Sequence, residues 1–338
     1  MISISSLGFP LTPEWLAHRY DPDHDAFQFV VSDRAQRQSI PFLTDENMPQ
    51  AREPLVASRN DIAVSAPAAP LHFIFHSAYC CSTLLVNALD QRGSASGLKE
   101  PVLLNDIVGW RHRGGQPERI GDVLDRSLTL LARPFEEGEA VIVKPSNIVN
   151  GLSAAMLSMR PDAKAILLHA PLGAFVGSIA RKGMWGRLWV RELLANQLAE
   201  GMVRLGFEQR DYLLHTDLQA AAVGWLAQQA LFAEIARRWP DRVRTLNSDV
   251  LTARPLETLA ACRSFLDLGG TVDHQAVVAD IFGRNAKDGT AFASGQREAD
   301  RVDAQALHGD EIGKVTEWAL AIADKAGIPM DLDGALLR

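Results

Sequence analysis

The stretch FIFHSAYCCSTLLVNALD, residues 73 to 90, passes from an apolar run through small polar residues into an amphipathic stretch. A strand-to-helix turn of this kind can hold a phosphate, because free N–H groups at a helix N-terminus and hydroxyls on its first turn both face the anion. Ser77, Ser82 and Thr83 supply hydroxyls there, with Tyr79, Cys80 and Cys81 between them. The same composition also fits an ordinary strand-turn-helix built from small residues. Glu100, in LKEPVLLND, follows a short strand beginning near Ser96 and suits a general base; it equally suits a capping or salt-bridged carboxylate before Pro101, with Asp106 as the alternative base. Lys144 closes the apolar run AVIVK, and the following Pro-Ser points it toward the carboxyl edge of a sheet. Lys99 and His76 are the next candidates for a cation.

The nucleoside-triphosphatase loop, GxxxxGK[ST], needs a lysine for the outer phosphates and a hydroxyl for magnesium. Aligned on Thr83, this chain has Ser82 in the lysine place and Cys81 for the last glycine. No acidic partner for magnesium stands out, so a small-molecule kinase is the third-ranked reading and no metal is expected.

Residues 160 to 191 hold Arg160, Lys164, Arg181, Lys182, Arg187 and Arg191 against Asp162 alone. Such a run is either a solvated helix face or an anion site, and it follows the strand end where an α/β sheet places its ligand. GRNAKDGTAFASGQREADR, 283 to 301, carries Arg284, Lys287, Arg297 and Arg301 and reads as a basic flap or as an exposed connector.

The elements that must position these residues follow from periodicity. LHFIFH (71–76), AVIVK (140–144), AKAILLH (163–169) and RVRTLN (242–247) are short apolar runs separated by helical stretches. That alternation predicts an α/β three-layer fold with a central parallel sheet, and because the turn after LHFIFH resembles a phosphate loop, the fold expected is of the P-loop nucleoside-triphosphate-hydrolase-like kind. A helix is expected over about 218–239, ending before Pro240, and another places Val315, Trp318, Ala319, Ile322 and Ala326 on one face, with Gly327 as its stop. Residues 1–65 read as an N-terminal extension whose one strand-like run is AFQFVV (26–31), with SAPAAP (65–70) as a linker. Residues 66–270 read as the core, and 271–338 as a flap and helix packing on it.

The chain has 338 residues, 47% of them hydrophobic, which supplies an ample core. A net charge of −7 argues against general attraction to nucleic acid or to an anionic membrane, so an anionic ligand needs a local cluster. Three cysteines fit a reducing, cytoplasmic setting, and the start MISISSLGFPLTPEW lacks the pattern of a signal peptide. No nucleic-acid or membrane partner is expected; a homo-oligomer is left open.

Four segments between residues 71 and 268 resemble, in order and spacing, the sulfotransferases that use 3′-phosphoadenosine 5′-phosphosulfate (PAPS). In that family the strand runs into proline, a variable or basic residue, serine, glycine, two hydroxyl residues and a helix. Here Ser82-Thr83 coincide with the hydroxyl pair, while Ala78, Tyr79, Cys80 and Cys81 replace the four residues before it. VIVKPSN (141–147) and RPDAKAILLHAP (160–171) resemble the Lys-x-Pro strand end and the Pro-Asp-Ala strand ending in Arg-Asp-Pro. RVRTLNSDVLTARPLETLAACRSFLDL (242–268) resembles the strand, acidic-Leu turn and helix ending in Phe-Leu-x-Leu.

The resemblance implies PAPS as co-substrate without a metal, and transfer of its sulfuryl group to a hydroxyl or amine of a small-molecule acceptor. Lys-Glu-Pro implies Glu100 as catalytic base, with Lys144 as the cation that replaces the missing loop lysine. The family holds the donor's 3′-phosphate with an arginine opening Arg-Asp-Pro and a serine on the next helix. His169 stands in the arginine place and Gly177 in the serine place. Ser178 comes one residue late, a rotation of about 100°, which turns attention to Arg181 or Lys182. The missing loop cation and glycine favour the second-ranked reading, a noncatalytic descendant that binds a nucleotide or a partner protein.

Overall fold

The computed structural model describes residues 12–48, 53–62, 69–283 and 296–337. The first eleven residues, most of the SAPAAP linker and residues 284–295 of the basic flap, with Arg284 and Lys287, lie outside that range.

Five short runs become the strands of one parallel sheet, three of them (β4, β6 and β7) nearly all apolar: β4 Leu71–His76, β5 Ala95–Lys99, β6 Ala140–Lys144, β7 Ala165–His169 and β8 Val243–Asn247. Their order is β5-β6-β4-β7-β8. Period-two alternation sends Phe73, Phe75, Val141, Val143 and Leu167 into one core and Ile74, Ile142, Ile166 and Leu168 into the other. This is why the runs show no polar face: both faces are covered. The first core takes in helices Val102–His112 and Pro117–Leu131. The second takes in helices Ser82–Leu89, Leu172–Arg181, Pro255–Phe265 and the C-terminal Gln296–Ala326, completing three layers.

The N-terminal extension holds more order than its pattern suggests. β1 Trp15–Asp21, β2 Ala26–Val31 and β3 Leu55–Ser58 form an antiparallel sheet, β1-β2-β3, whose Tyr20, Phe27 and Phe29 join the first core. WLAHRYD mixes polar and apolar residues on both faces, and a bulge between Ala17 and Arg19 breaks the alternation that would identify it.

Other segments dress the edges of the main sheet. On the β5 side, Leu43 N–H donates to Lys99 O at 2.7 Å and Val102 N–H donates to Leu43 O at 3.1 Å. On the β8 side, Thr245 N–H donates to Gly334 O and Leu336 N–H to Thr245 O, both at 2.9 Å, around a bridge from Thr245 to Ala335.

The helix Asp217–Arg238 starts with a capping box between Thr216 and Gln219 and stops ahead of Pro240, because proline has no N–H to continue it. The C-terminal helix begins at Gln296, so Arg301 lies on a helix and not in a flap. Its clear apolar stripe covers only the last turns. The helix packs on both Leu172–Arg181 and Asp217–Arg238, which spreads its apolar contacts around the axis. Gly327, at φ 66°, ends it. No described helix is long and apolar enough to cross a membrane.

Candidate active site at the carboxyl edge of the sheet

Between His76 and the helix Ser82–Leu89 the backbone turns left-handed at Ala78 (φ 68°), Tyr79 (φ 51°) and Cys81 (φ 63°). A residue with a Cβ loses about 1 to 2 kcal/mol in that conformation, so the surroundings must over-determine it. They do. Ala78 N–H donates to His76 Nδ1 at 3.1 Å, Ser77 N–H to Leu168 O at 3.1 Å, and Ala170 N–H to Ser77 Oγ at 3.0 Å. Asn150 Nδ2 donates to His76 O at 3.0 Å. The loop thus keeps a turn of the type from which backbone anion cradles are built, without glycine.

The charged centre lies beside it. Lys144 is fully buried; its Nζ donates to Glu100 Oε1 and lies 3.5 Å from Thr83 Oγ1 and 5.0 Å from the centre of the Phe42 ring. Lys99 and Lys144 are register partners on β5 and β6, and the next residue, Glu100, donates its N–H to Lys144 O at 2.7 Å. A left-handed φ of 50° at Glu100 accompanies this turn off the strand. His76 Nε2 lies 3.7 Å from Glu100 Oε1, and since Nδ1 accepts the Ala78 N–H, a neutral ring carries its proton on Nε2, toward the carboxylate. Glu100, Lys144, His76 and Thr83 therefore converge.

Other predicted residues take different roles. The Ser77 hydroxyl donates to Ala78 O at 3.3 Å while accepting from Ala170, so it fixes the turn. Tyr79 turns its ring onto Phe175 (6.1 Å) and Trp189 (5.6 Å), and burial pushes its phenol up to about 12. The Cys80 thiol is buried and pushed up to about 11, which leaves it protonated near neutrality. Cys81 sits at the cap of the helix, and Ser82 and Thr83 occupy its buried first turn. Lys99 donates to Gln38 O at 2.9 Å and is held down to about 8, chiefly by burial, so it anchors the N-terminal segment. Asp106 accepts from Arg19 at 2.9 and 2.8 Å and from Tyr20 N–H at 3.0 Å, a structural pairing.

The basic segment is balanced from elsewhere in the chain. Arg181 grips Asp300 through two bonds of 2.6 and 2.5 Å, Lys164 meets Asp267 at 2.5 Å, Arg187 meets Glu311 at 3.0 Å, and Arg191 meets Asp217. The surplus of cations in sequence is thus no surplus in space. Ser178 Oγ donates back to Ala174 O at 2.8 Å, Lys182 caps its helix in solvent, and His169 is held near 4 by burial, so it brings no charge at neutral pH. A cavity of about 360 Å³ runs between helix Leu172–Arg181 and the C-terminal helix, lined by Gly177, Ser178, Arg181 and Arg301; Arg301 is bonded to Asp249.

Periodicity and motif did not single out Asn147, Asn150 or Phe42. Asn147 Nδ2, at the β6 end, and His169 Nδ1, at the β7 end, are buried polar atoms without a hydrogen-bond partner, as is Asn150 Oδ1. They flank the β4 loop on both sides, since β6 and β7 are its neighbours. Buried polar atoms are ordinarily paired, so a ligand at this edge has contacts waiting. Among the described residues, no group of three or more His, Cys, Asp and Glu side chains is placed to hold a metal ion.

No family model matches the chain, and no curated protein matches it. Among solved structures it is similar to the sulfotransferase STF9 from Mycobacterium avium, at 12% identity over 72% of this chain and 77% of that one, with a TM-score of 0.42. It is similar to a sulfotransferase from Alicyclobacillus acidocaldarius at 15% identity, over 71% of this chain and 96% of that one, with a TM-score of 0.37. A third is the sulfotransferase domain of the curacin biosynthetic pathway, at 10% identity over 79% of this chain and 100% of that one, with a TM-score of 0.40. All three are sulfotransferases.

Proposed function

We propose that the chain transfers the sulfuryl group of PAPS to a hydroxyl or amine of a small molecule. The observation that carries this reading is the meeting of Lys144 Nζ with Glu100 and with Thr83, on the first turn after the loop. A base and a cation stand together where a phosphate would end on a helix N-terminus.

The chemistry asks for a proton acceptor and for positive charge at the leaving oxygen. Glu100 takes the proton of the acceptor O–H as its oxygen forms a bond to sulfur. The S–O bond to the 5′-phosphate breaks, and its electron pair leaves with the phosphate. Lys144, the loop N–H groups and the Ser82 and Thr83 hydroxyls hold the charge that grows there. His76, with Nε2 toward Glu100, orients the carboxylate. The fit of the donor rests on the left-handed loop and on the partnerless polar atoms of Asn147 and His169. Its 3′-phosphate would lie by helix Leu172–Arg181, where Arg181 binds it in exchange for Asp300.

Calorimetric titration with adenosine 3′,5′-bisphosphate, set against ATP with magnesium, tests this. Tighter binding of the bisphosphate supports the donor, and preference for ATP with magnesium defeats it. A binding-only protein is the second reading, favoured by the Lys144 charge being already matched by Glu100. It predicts bisphosphate binding without transfer to any acceptor.

A further inference from the structure

Cys80 and Cys81 stand side by side in the loop that turns from β4 into the helix Ser82–Leu89, and neither is in a disulfide. We infer that the pair is a site of oxidative modification: a peroxide converts Cys81 to a sulfenic acid, Cys80 resolves it, and the disulfide between neighbours disables the anion cradle. The effect on the cradle rests on the transfer reading; the chemistry of the thiols does not.

The surroundings of the two sulfurs assign their roles. Cys81 is half-buried and caps the helix in a left-handed conformation, at φ 63°. A helix N-terminus favours negative charge, so an accessible sulfur there reacts as the thiolate. Cys80 is buried, and burial pushes its thiol up to about 11, while its sulfur accepts from both the N–H and the hydroxyl of Ser82. It keeps its proton and is shielded, so an oxidant meets Cys81 first. A negative charge on Cys81 acts on the Cys80 thiol more strongly than Lys144 does, which places the two sulfurs close in space as well as in sequence. The third cysteine, Cys262, is fully buried in the second core and takes no part.

The Cys81 thiolate takes one oxygen of the peroxide as the O–O bond breaks, and the other oxygen leaves as hydroxide. The Cys80 sulfur then bonds to that of Cys81 while the S–O bond breaks, and the Cys80 proton departs with the hydroxyl as water. Two thiols are oxidised and one peroxide is reduced. Neighbouring Cα atoms lie about 3.8 Å apart across a trans peptide, below the roughly 4.4 to 6.8 Å usual for a disulfide, so this ring is strained and yields readily to thiols. Closing it draws the Cys80 sulfur off Ser82 and turns the backbone at Cys81. The N–H groups and hydroxyls assigned to the phosphate move with it.

Thiol counting on the full chain tests the pair. After hydrogen peroxide, the thiols titrated in denaturant should fall from three to one, and dithiothreitol should restore them. The monomer mass should drop by about 2 Da, the two hydrogens of the paired thiols. Cys81→Ser should keep both of its thiols, and Cys80→Ser should accumulate a sulfenic acid that dimedone traps at Cys81. Phenylarsine oxide, which bridges paired thiols, should consume the same two in the unaltered chain; if either variant loses its fold, failure of the arsenical to do so refutes the pairing. Three thiols retained after peroxide, a disulfide between chains, or thiol loss in Cys81→Ser as in the wild type overturns the proposal. Calorimetry with adenosine 3′,5′-bisphosphate reads the consequence: the oxidised chain should bind at least about tenfold more weakly than the reduced chain and recover with dithiothreitol. Equal affinity of the two forms sinks this inference alone. No binding by the reduced chain, with two thiols still lost to peroxide, sinks the transfer reading while the modification site stands.

Discussion

Glu100 is joined to Lys144 twice, once by its backbone N–H to the Lys144 carbonyl at 2.7 Å and once by its carboxylate to Nζ. The first bond ends the pairing of β5 with β6; the second turns the side chain back across the sheet edge toward Thr83. A glutamate that merely capped the next helix would have no reason to take φ 50° and reach a fully buried lysine.

Replacing Glu100 by glutamine keeps shape and removes the proposed base. Turnover should fall by about 10² to 10⁴ while bisphosphate affinity survives. Steady-state rates and calorimetry on the same preparation check both halves.

Lys144→Ala should lower stability by roughly 2 to 4 kcal/mol, since it leaves a carboxylate that is only 19% exposed without its cation. Adding Glu100→Gln should recover part of that loss. Urea unfolding of the wild type, both single variants and the double variant reads the coupling; strict additivity would refute the pairing as an energetic unit.

The left-handed Cys81 makes a conformational prediction. Cys81→Gly removes a steric penalty of about 1 to 2 kcal/mol but adds unfolded-state entropy worth up to about 1 kcal/mol, so stability should stay level or rise slightly. Cys81→Val should destabilise by about 1 to 2 kcal/mol, because a β-branched residue tolerates positive φ worst. Thermal melts of the two variants should move apart.

His72 and His169 are both held near 4, below the usual 6.5, by burial. The folded chain therefore binds fewer protons than the unfolded chain between those values. Stability should be full above about pH 6.5 and fall as the pH drops toward 4. In H72N/H169N the fall over that window should be shallower, measured as urea midpoints at a series of pH values. An unchanged slope would mean that carboxylates alone govern acid unfolding.

Arg181→Ala should reduce the preference for adenosine 3′,5′-bisphosphate over adenosine 5′-monophosphate, and Asp300→Asn should raise it by freeing the guanidinium. Opposite shifts are the signature. If neither variant moves the preference, the pair only fastens the C-terminal helix.

The parts of this protein legible in sequence are those whose physics is local. β4, β6 and β7 declare themselves as short apolar runs because burial on both faces leaves no polar positions. Glu100 and Lys144 stand out because each stands at the end of a short strand and directly precedes a proline. The basic segment misled for the opposite reason: the partner of Arg181 is 119 residues away, and that of Arg187 is 124. Phe42 and Asn147 carried no signal, since an aromatic in a loop and an asparagine after a strand have many uses. β1 and β3 escaped because one is bulged and the other spans four residues.

The contacts of Leu43 on β5 and of Ala335 on β8 decide how this protein can meet its neighbours. A parallel sheet ends in two rows of unsatisfied amides and carbonyls, which are templates for another chain to add to. Here segments far apart in sequence occupy part of both rows. Strand addition at the borders of this sheet is thereby hindered. Losing the first 48 residues would bare the β5 border and the Phe42 cover of Lys144 and would also strip Tyr20, Phe27 and Phe29 from the first core, so a shortened chain should lose stability and aggregate sheet to sheet together.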